Sequence, residues 1–133
     1  MKRGWCASVK RDMELVRAML LFVEGQERRG DQTVQPIAMP GWSIEELAYH
    51  RDLLIDAGYL EATSMEIADF DSSEVFVTVT GLTWQGHDLL DLMRDERSWR
   101  RALLEKPEVR NMPLEVVKAV LTSVVTRLMT GGA

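Results

Sequence analysis

Cysteine is nearly absent from this chain. The single residue, Cys6, excludes an internal disulfide and any cysteine-based zinc framework. Histidine is scarce as well: only His50 and His87 occur, and no H-x-x-x-H or E-x-x-H run joins them to other metal-ligand types. No apolar run reaches the length of a membrane span, and the opening residues MKRGWCASVKRDM lack the apolar stretch of a signal peptide. The expected compartment is therefore the cytoplasm, with no membrane contact. Basic residues do not dominate. Sixteen Lys and Arg stand against 21 Asp and Glu, for a net charge of -5 and a pI near 5.1. That balance argues against nonspecific coating of nucleic acid. Nucleophile elbows, phosphate loops and dinucleotide fingerprints are missing too. What is present is 133 residues with 46% hydrophobic and 28% charged content. This suits one globular domain with a core of its own.

Periodicity, capping and turn signals divide the chain into six segments. Val9, Met13, Val16, Leu20 and Val23 recur at helical spacing, giving a helix from about residue 8 to 27, with Gly30 and Asp31 beyond its end. Two prolines and two glycines in residues 29 to 42 make a loop, with room for a short edge strand at 33 to 38. Ser43 and Glu46 form a capping-box signature, Trp42 and Leu47 stand at staple positions, and Gly58 is a left-handed stop. They bound a helix over residues 44 to 57. Residues 59 to 82 read as two strands around a polar turn near ADFDSS, with EVFVTVT the clearer strand. Thr83 caps a helix that begins at Trp84 and continues, with a kink, to Leu104, where Pro107 stops it. Pro113 opens a last helix, LEVVKAVLTSVVTRLM. Helix, glycine turn and two-stranded hairpin in this order form a winged-helix pattern. The expected fold is α+β, a winged-helix-like domain over 9 to 105, preceded by an extension at 1 to 8. A C-terminal helical extension follows over 106 to 133.

Three segments carry a family resemblance: KRDMELVR (10 to 17), YHRDLLIDAGYLEA (49 to 62) and LTWQGHDLLDLMRDERSW (82 to 99). Together they resemble the domain-of-unknown-function family 2513, a bacterial and prophage family whose members look like winged-helix proteins. The resemblance covers roughly residues 9 to 128. It implies the fold and a frequent prophage context, and it implies no catalytic or binding residues. By the broader likeness of H-x-x-LL-x-x-AG-x-L to winged-helix regulators, helix 44 to 57 takes the place of a DNA-reading helix. Two departures stand out. The interval before that helix is proline-broken where a second helix is needed, and His50 is followed by Arg51 and Asp52 rather than an apolar residue and a base.

Charge bears directly on that reading. Residues 1 to 42 carry a net +2 and residues 83 to 133 a net +1, but residues 43 to 82 carry one base, Arg51, against nine acids. On a helical wheel Glu45, Tyr49, Asp52 and Asp56 share one face, opposite Ile44, Leu47, Leu54 and Ile55. DNA affinity rests on Lys and Arg at phosphates, so an acidic face in the reading position disfavours nucleic acid there. A protein partner with a basic surface fits it better. Arg94, Arg97, Arg100 and Arg101 form a separate basic group, interleaved with Asp91, Asp95 and Glu96. They read as helical ion pairs or, more sharply, as a contact for nucleic acid or an acidic partner.

The other notable residues have structural readings. His50 and His87 are expected to be hydrogen-bonded within the fold rather than metal ligands. Gly86, in a first helical turn, suggests a close backbone neighbour. Trp84 and Trp99 are assigned to packed helix faces. Arg51 is expected to snorkel or to pair with a buried acid. Leu114, Val117, Leu121, Val124 and Leu128 line the last helix. Two readings stay open for them: docking on the domain's own core, or the seam of a homodimer. The resulting expectation is a non-catalytic interaction protein without a cofactor, binding its partner through Glu45, Tyr49, Asp52 and Asp56. The alternative is a DNA-binding transcriptional regulator.

Overall fold

The computed structural model describes residues 10–27, 39–68 and 73–131. The elements run α1 (Met13–Glu27), α2 (Ile44–Asp56), β1 (Leu60–Ala68), β2 (Ser73–Leu82), α3 (Trp84–Met93), α4 (Glu96–Glu105), a 3-10 turn (Pro107–Asn111) and α5 (Leu114–Met129). This is an α+β arrangement of winged-helix-like form: helices, an antiparallel hairpin, and a C-terminal helix. The expected extension at 1 to 8, the strand at 33 to 38 and most of the turn near ADFDSS lie outside the described residues.

Helix α1 is the centre of the core. Met13, Leu15, Val16, Met19, Leu20 and Val23 are all buried, a wider arc than the five-residue stripe that the periodicity picked out. It begins at Met13 rather than near residue 8, because Asp12 acts as its cap. The Asp12 side chain accepts the Glu14 N–H, and its carbonyl accepts from Leu15 and Val16.

Both ends of α2 follow local chemistry. Ser43 Oγ accepts the Glu46 N–H at 3.0 Å, and the Glu46 carboxylate accepts the Ser43 N–H at 2.9 Å. At the far end Gly58 adopts φ +86°, its N–H donates to Ile55, and the Tyr59 N–H donates to Leu54. That is a Schellman ending, which turns the chain straight into β1.

The hairpin pairs Leu60 with Leu82 and Ala68 with Ser73, with one bulge that leaves Thr80 unpaired. From β2 the chain enters α3 at Thr83, whose Oγ accepts the Gly86 N–H and donates to the Gly58 carbonyl. The two ends of the wing are thereby tied together. A Cβ on Gly86 would lie 2.1 Å from the Tyr59 carbonyl oxygen, so the close backbone neighbour expected there is present.

The kinked helix expected over 84 to 104 is two helices. Asp95 caps α4, accepting the Arg97 N–H at 3.2 Å and the Ser98 hydroxyl at 2.9 Å. These bonds hold the Asp95 carboxyl below its usual range, the Ser98 hydroxyl contributing most. Arg17 of α1 donates to the Met93 and Arg94 carbonyls, placing a cation at the C-terminal end of α3. The 3-10 turn after α4 was not anticipated. It buries Val109, and its Arg110 pairs with Asp12 at 2.9 Å.

Helix α5 completes the same core rather than standing apart from it. Val117, Leu121 and Val124 are at most 1% exposed, and Leu114 and Leu128 pack against the cluster. Of the residues read as a core face or a homodimer seam, Val117, Leu121 and Val124 are turned onto the chain's own core, while Leu114 and Leu128 are partly exposed at its edge. Trp99 is buried as expected, its indole N–H donating to Glu14 at 3.0 Å. Trp84 is not. It is 81% exposed; the side of that first turn that packs inward carries Gly86. Ile44, placed on the apolar face of α2, is also 81% exposed.

Candidate functional site

The acidic stripe of α2 exists as a surface. Glu45, Tyr49, Asp52 and Asp56 are all exposed, and their spacing puts them on one line along the helix. Over the 11 residue steps from Glu45 to Asp56 that line is about 16 Å long. The opposite face is buried through Leu47, His50 and Leu54. Glu45 and Asp56 make no ion pair among the described residues. Asp52 does: Arg51 Nη2 lies 2.9 Å from its Oδ1, and Arg51 Nε donates to the same oxygen. The acid that Arg51 pairs with is its exposed neighbour rather than a buried one. Arg51 neutralises part of the stripe at its centre. Tyr49 stands between Glu45 and Asp52 and meets the His50 ring edge-on, with centroids 5.6 Å apart. An exposed phenol between carboxylates is a surface on which a Lys or Arg stem can lie, with its charge near an acid.

The arginine group is arranged differently. Arg94 forms a fork to Glu24 at 2.8 and 2.7 Å and also reaches Asp91 at 3.1 Å. Those hydrogen bonds, Glu24's first, raise its pKa far above the ordinary arginine value. Arg100 pairs with Glu96 at 2.7 Å and Arg101 with Glu105 at 3.8 Å. Arg127 makes a second fork to Glu105, at 2.6 and 3.0 Å, which lowers the Glu105 carboxyl and raises the Arg127 guanidinium. Of the four, only Arg97 makes no ion pair among the described residues. The group is chiefly a set of ties within and between helices, which is the plainer of its two sequence readings.

His50 is 1% exposed, and both ring nitrogens are engaged. Nε2 accepts the Asp12 N–H at 2.9 Å, and Nδ1 lies 2.8 Å from the Glu46 carbonyl. An N–H can only donate and a carbonyl can only accept, so the ring is the neutral tautomer with its proton on Nδ1. No group of three or more His, Cys, Asp or Glu that could hold a metal occurs among the described residues. No helix among them is long and apolar enough to cross a membrane.

Sequence reasoning did not find the exposure of Trp84 or Ile44. It also missed a cleft of about 170 Å³ at the C-terminal end of α2. The cleft is lined from α1, α2 and the start of α5. Segments so far apart in the chain leave no local signal of their meeting.

The family model described as Hypothetical protein (DUF2513) matches residues 10–108. A protein of Haemophilus influenzae named Uncharacterized protein is 32% identical over 124 residues, which are 91% of this chain and 99% of that protein. No solved structure matches the chain significantly.

Proposed function

The chain belongs to the DUF2513 family, and we propose that it acts as a non-catalytic binding module. In this reading it works in the cytoplasm and presents the α2 stripe to a protein partner with a basic surface. The observation that carries the reading is the stripe itself. Glu45, Tyr49 and Asp56 are exposed on one helix face, and the two carboxylates have no ion pair among the described residues. The exposed acids Glu61 and Glu66 of β1 extend the negative field along the wing. In a winged-helix arrangement this face would meet DNA, and its charge is the wrong sign for phosphate. A basic protein surface, including one that otherwise binds nucleic acid, is its electrostatic complement. The DNA-regulator alternative is weaker for a second reason: Arg94, Arg100 and Arg101 already hold carboxylates.

The test is a pull-down across a salt series with the wild type, a triple Glu45→Lys, Asp52→Lys, Asp56→Lys variant, and a Glu115→Lys control on α5. Partner recovery is expected to fall with rising salt, to be lost in the triple variant and to be kept in the control. If the triple variant recovers the same proteins as the wild type, the reading is wrong.

A further inference from the structure

The stripe ends at Asp56, and Asp56 also borders the 170 Å³ cleft. The floor of the cleft is apolar: Met13 and Val16 from α1, Leu53 and Leu54 from α2, and Leu114 from α5. His50 reaches it too, but both of its ring nitrogens are occupied, so it offers no polar group to a guest. The charged residues lining the cleft are Asp56 and Arg11, both exposed. An apolar cavity of about 150 Å³ accepts a guest the size of benzene. This cleft therefore has room for one aliphatic side chain and is too small for a nucleotide or a flavin.

We propose that the cleft receives one leucine-sized side chain from the same basic segment that the acidic stripe binds. The proposal rests on the stripe reading above and names its anchor. The charges favour this occupant over a cation. Arg11 at the mouth repels a Lys or Arg head, which leaves basic side chains on the Asp56 side, where the stripe begins. An aliphatic side chain instead gains by leaving water. A pocketed apolar anchor with a charged rim is the common build of an interface hot spot.

Two pentapeptides serve as probes on the full chain, Ac-Lys-Lys-Leu-Lys-Lys-NH₂ and its central-Ala counterpart, titrated by methyl NMR. The Leu peptide is expected to bind about tenfold tighter or more, from desolvation of one aliphatic side chain. It should shift the methyls of Val16, Leu53 and Leu114. Ala57→Phe, at the exposed residue that ends α2 and lines the cleft, should erase the Leu preference and leave the Ala peptide's affinity unchanged. Glu45→Lys with Asp52→Lys should weaken both peptides equally and leave the preference intact. Equal affinity of the two peptides for the wild type overturns the cleft proposal, and that comparison needs no variant. So does a Leu preference that survives Ala57→Phe. Indifference of both peptides to the double charge reversal overturns the stripe reading instead.

Discussion

Replacing His50 is the sharpest test of how this fold is held. The ring joins two segments 38 residues apart by accepting the Asp12 N–H, while its own N–H holds the Glu46 carbonyl. Asp12 in turn caps α1 and receives Arg110 from the 3-10 turn. His50→Leu keeps most of the buried volume and removes the acceptor. The Asp12 N–H is then left without its partner, at a cost of about 1–3 kcal/mol. His50→Ala adds a cavity to that loss and is expected to cost about 3–5 kcal/mol. Urea unfolding followed by far-UV circular dichroism measures both, with the slope checking that the transition stays two-state. Amide exchange at Asp12 should speed up in both variants, since its hydrogen bond is lost in both. A Leu variant as stable as the wild type, with Asp12 exchange unchanged, would show that the ring is only a filler and that the acceptor is not needed.

Other expectations are quickly checked. Gly86→Ala forces the new methyl onto the Tyr59 carbonyl, which lies 2.1 Å from its position; a loss of about 2 kcal/mol or more is expected in denaturant melts. Trp84→Ala should leave stability within about 0.5 kcal/mol, whereas Trp99→Ala should cost about 3–5 kcal/mol, because only the second ring is buried. Glu105 should titrate below its ordinary 4.5 in carboxyl-carbon NMR, since Arg127 favours the charged form. The tie between α4 and α5 is then complete above the ordinary carboxylate range and is lost as pH falls through the depressed value. Arg127→Met should return most of that shift, and an unmoved Glu105 titration would refute the assignment.

The parts legible in the sequence are those governed by neighbours along the chain. The ends of α2 were readable because a capping box needs four residues and a glycine stop needs one. The close approach at Gly86 was readable because a glycine in a first helical turn has few other uses. Tertiary decisions were not readable. Residues 84 to 104 look like one amphipathic helix, and the break at Asp95 depends partly on Arg17, 76 residues away from Met93, taking the freed carbonyls. The periodicity of α5 marks an apolar face, yet a repeat of three and four does not say whether its own core or a second copy covers it. The acidic stripe was legible as a face, while the Arg51 pairing within it was not. A side chain predicted on the apolar arc reached sideways to the adjacent exposed acid instead.

The fold's own use of charge bears on the proposed site. Three acids elsewhere tie distant segments together: Glu24 holds Arg94, Asp12 holds Arg110, and Glu105 holds Arg127. Each of those pairs joins segments far apart in the chain, so the folded state accounts for them. Glu45 and Asp56 join nothing among the described residues, and Asp52 joins only its neighbour Arg51. Helix-end electrostatics account for Glu45, in the first turn of α2. They work against Asp56 in the last turn, where a carboxylate meets the negative end of the helix dipole. Asp56 is thus an exposed acid at the less favourable end of its helix, bordering the apolar cleft and in no ion pair among the described residues. Asp56→Asn should therefore raise stability by about 0.3–1 kcal/mol while weakening the binding of the lysine-rich peptides. A variant that loses stability instead would place Asp56 in the architecture and remove it from the site.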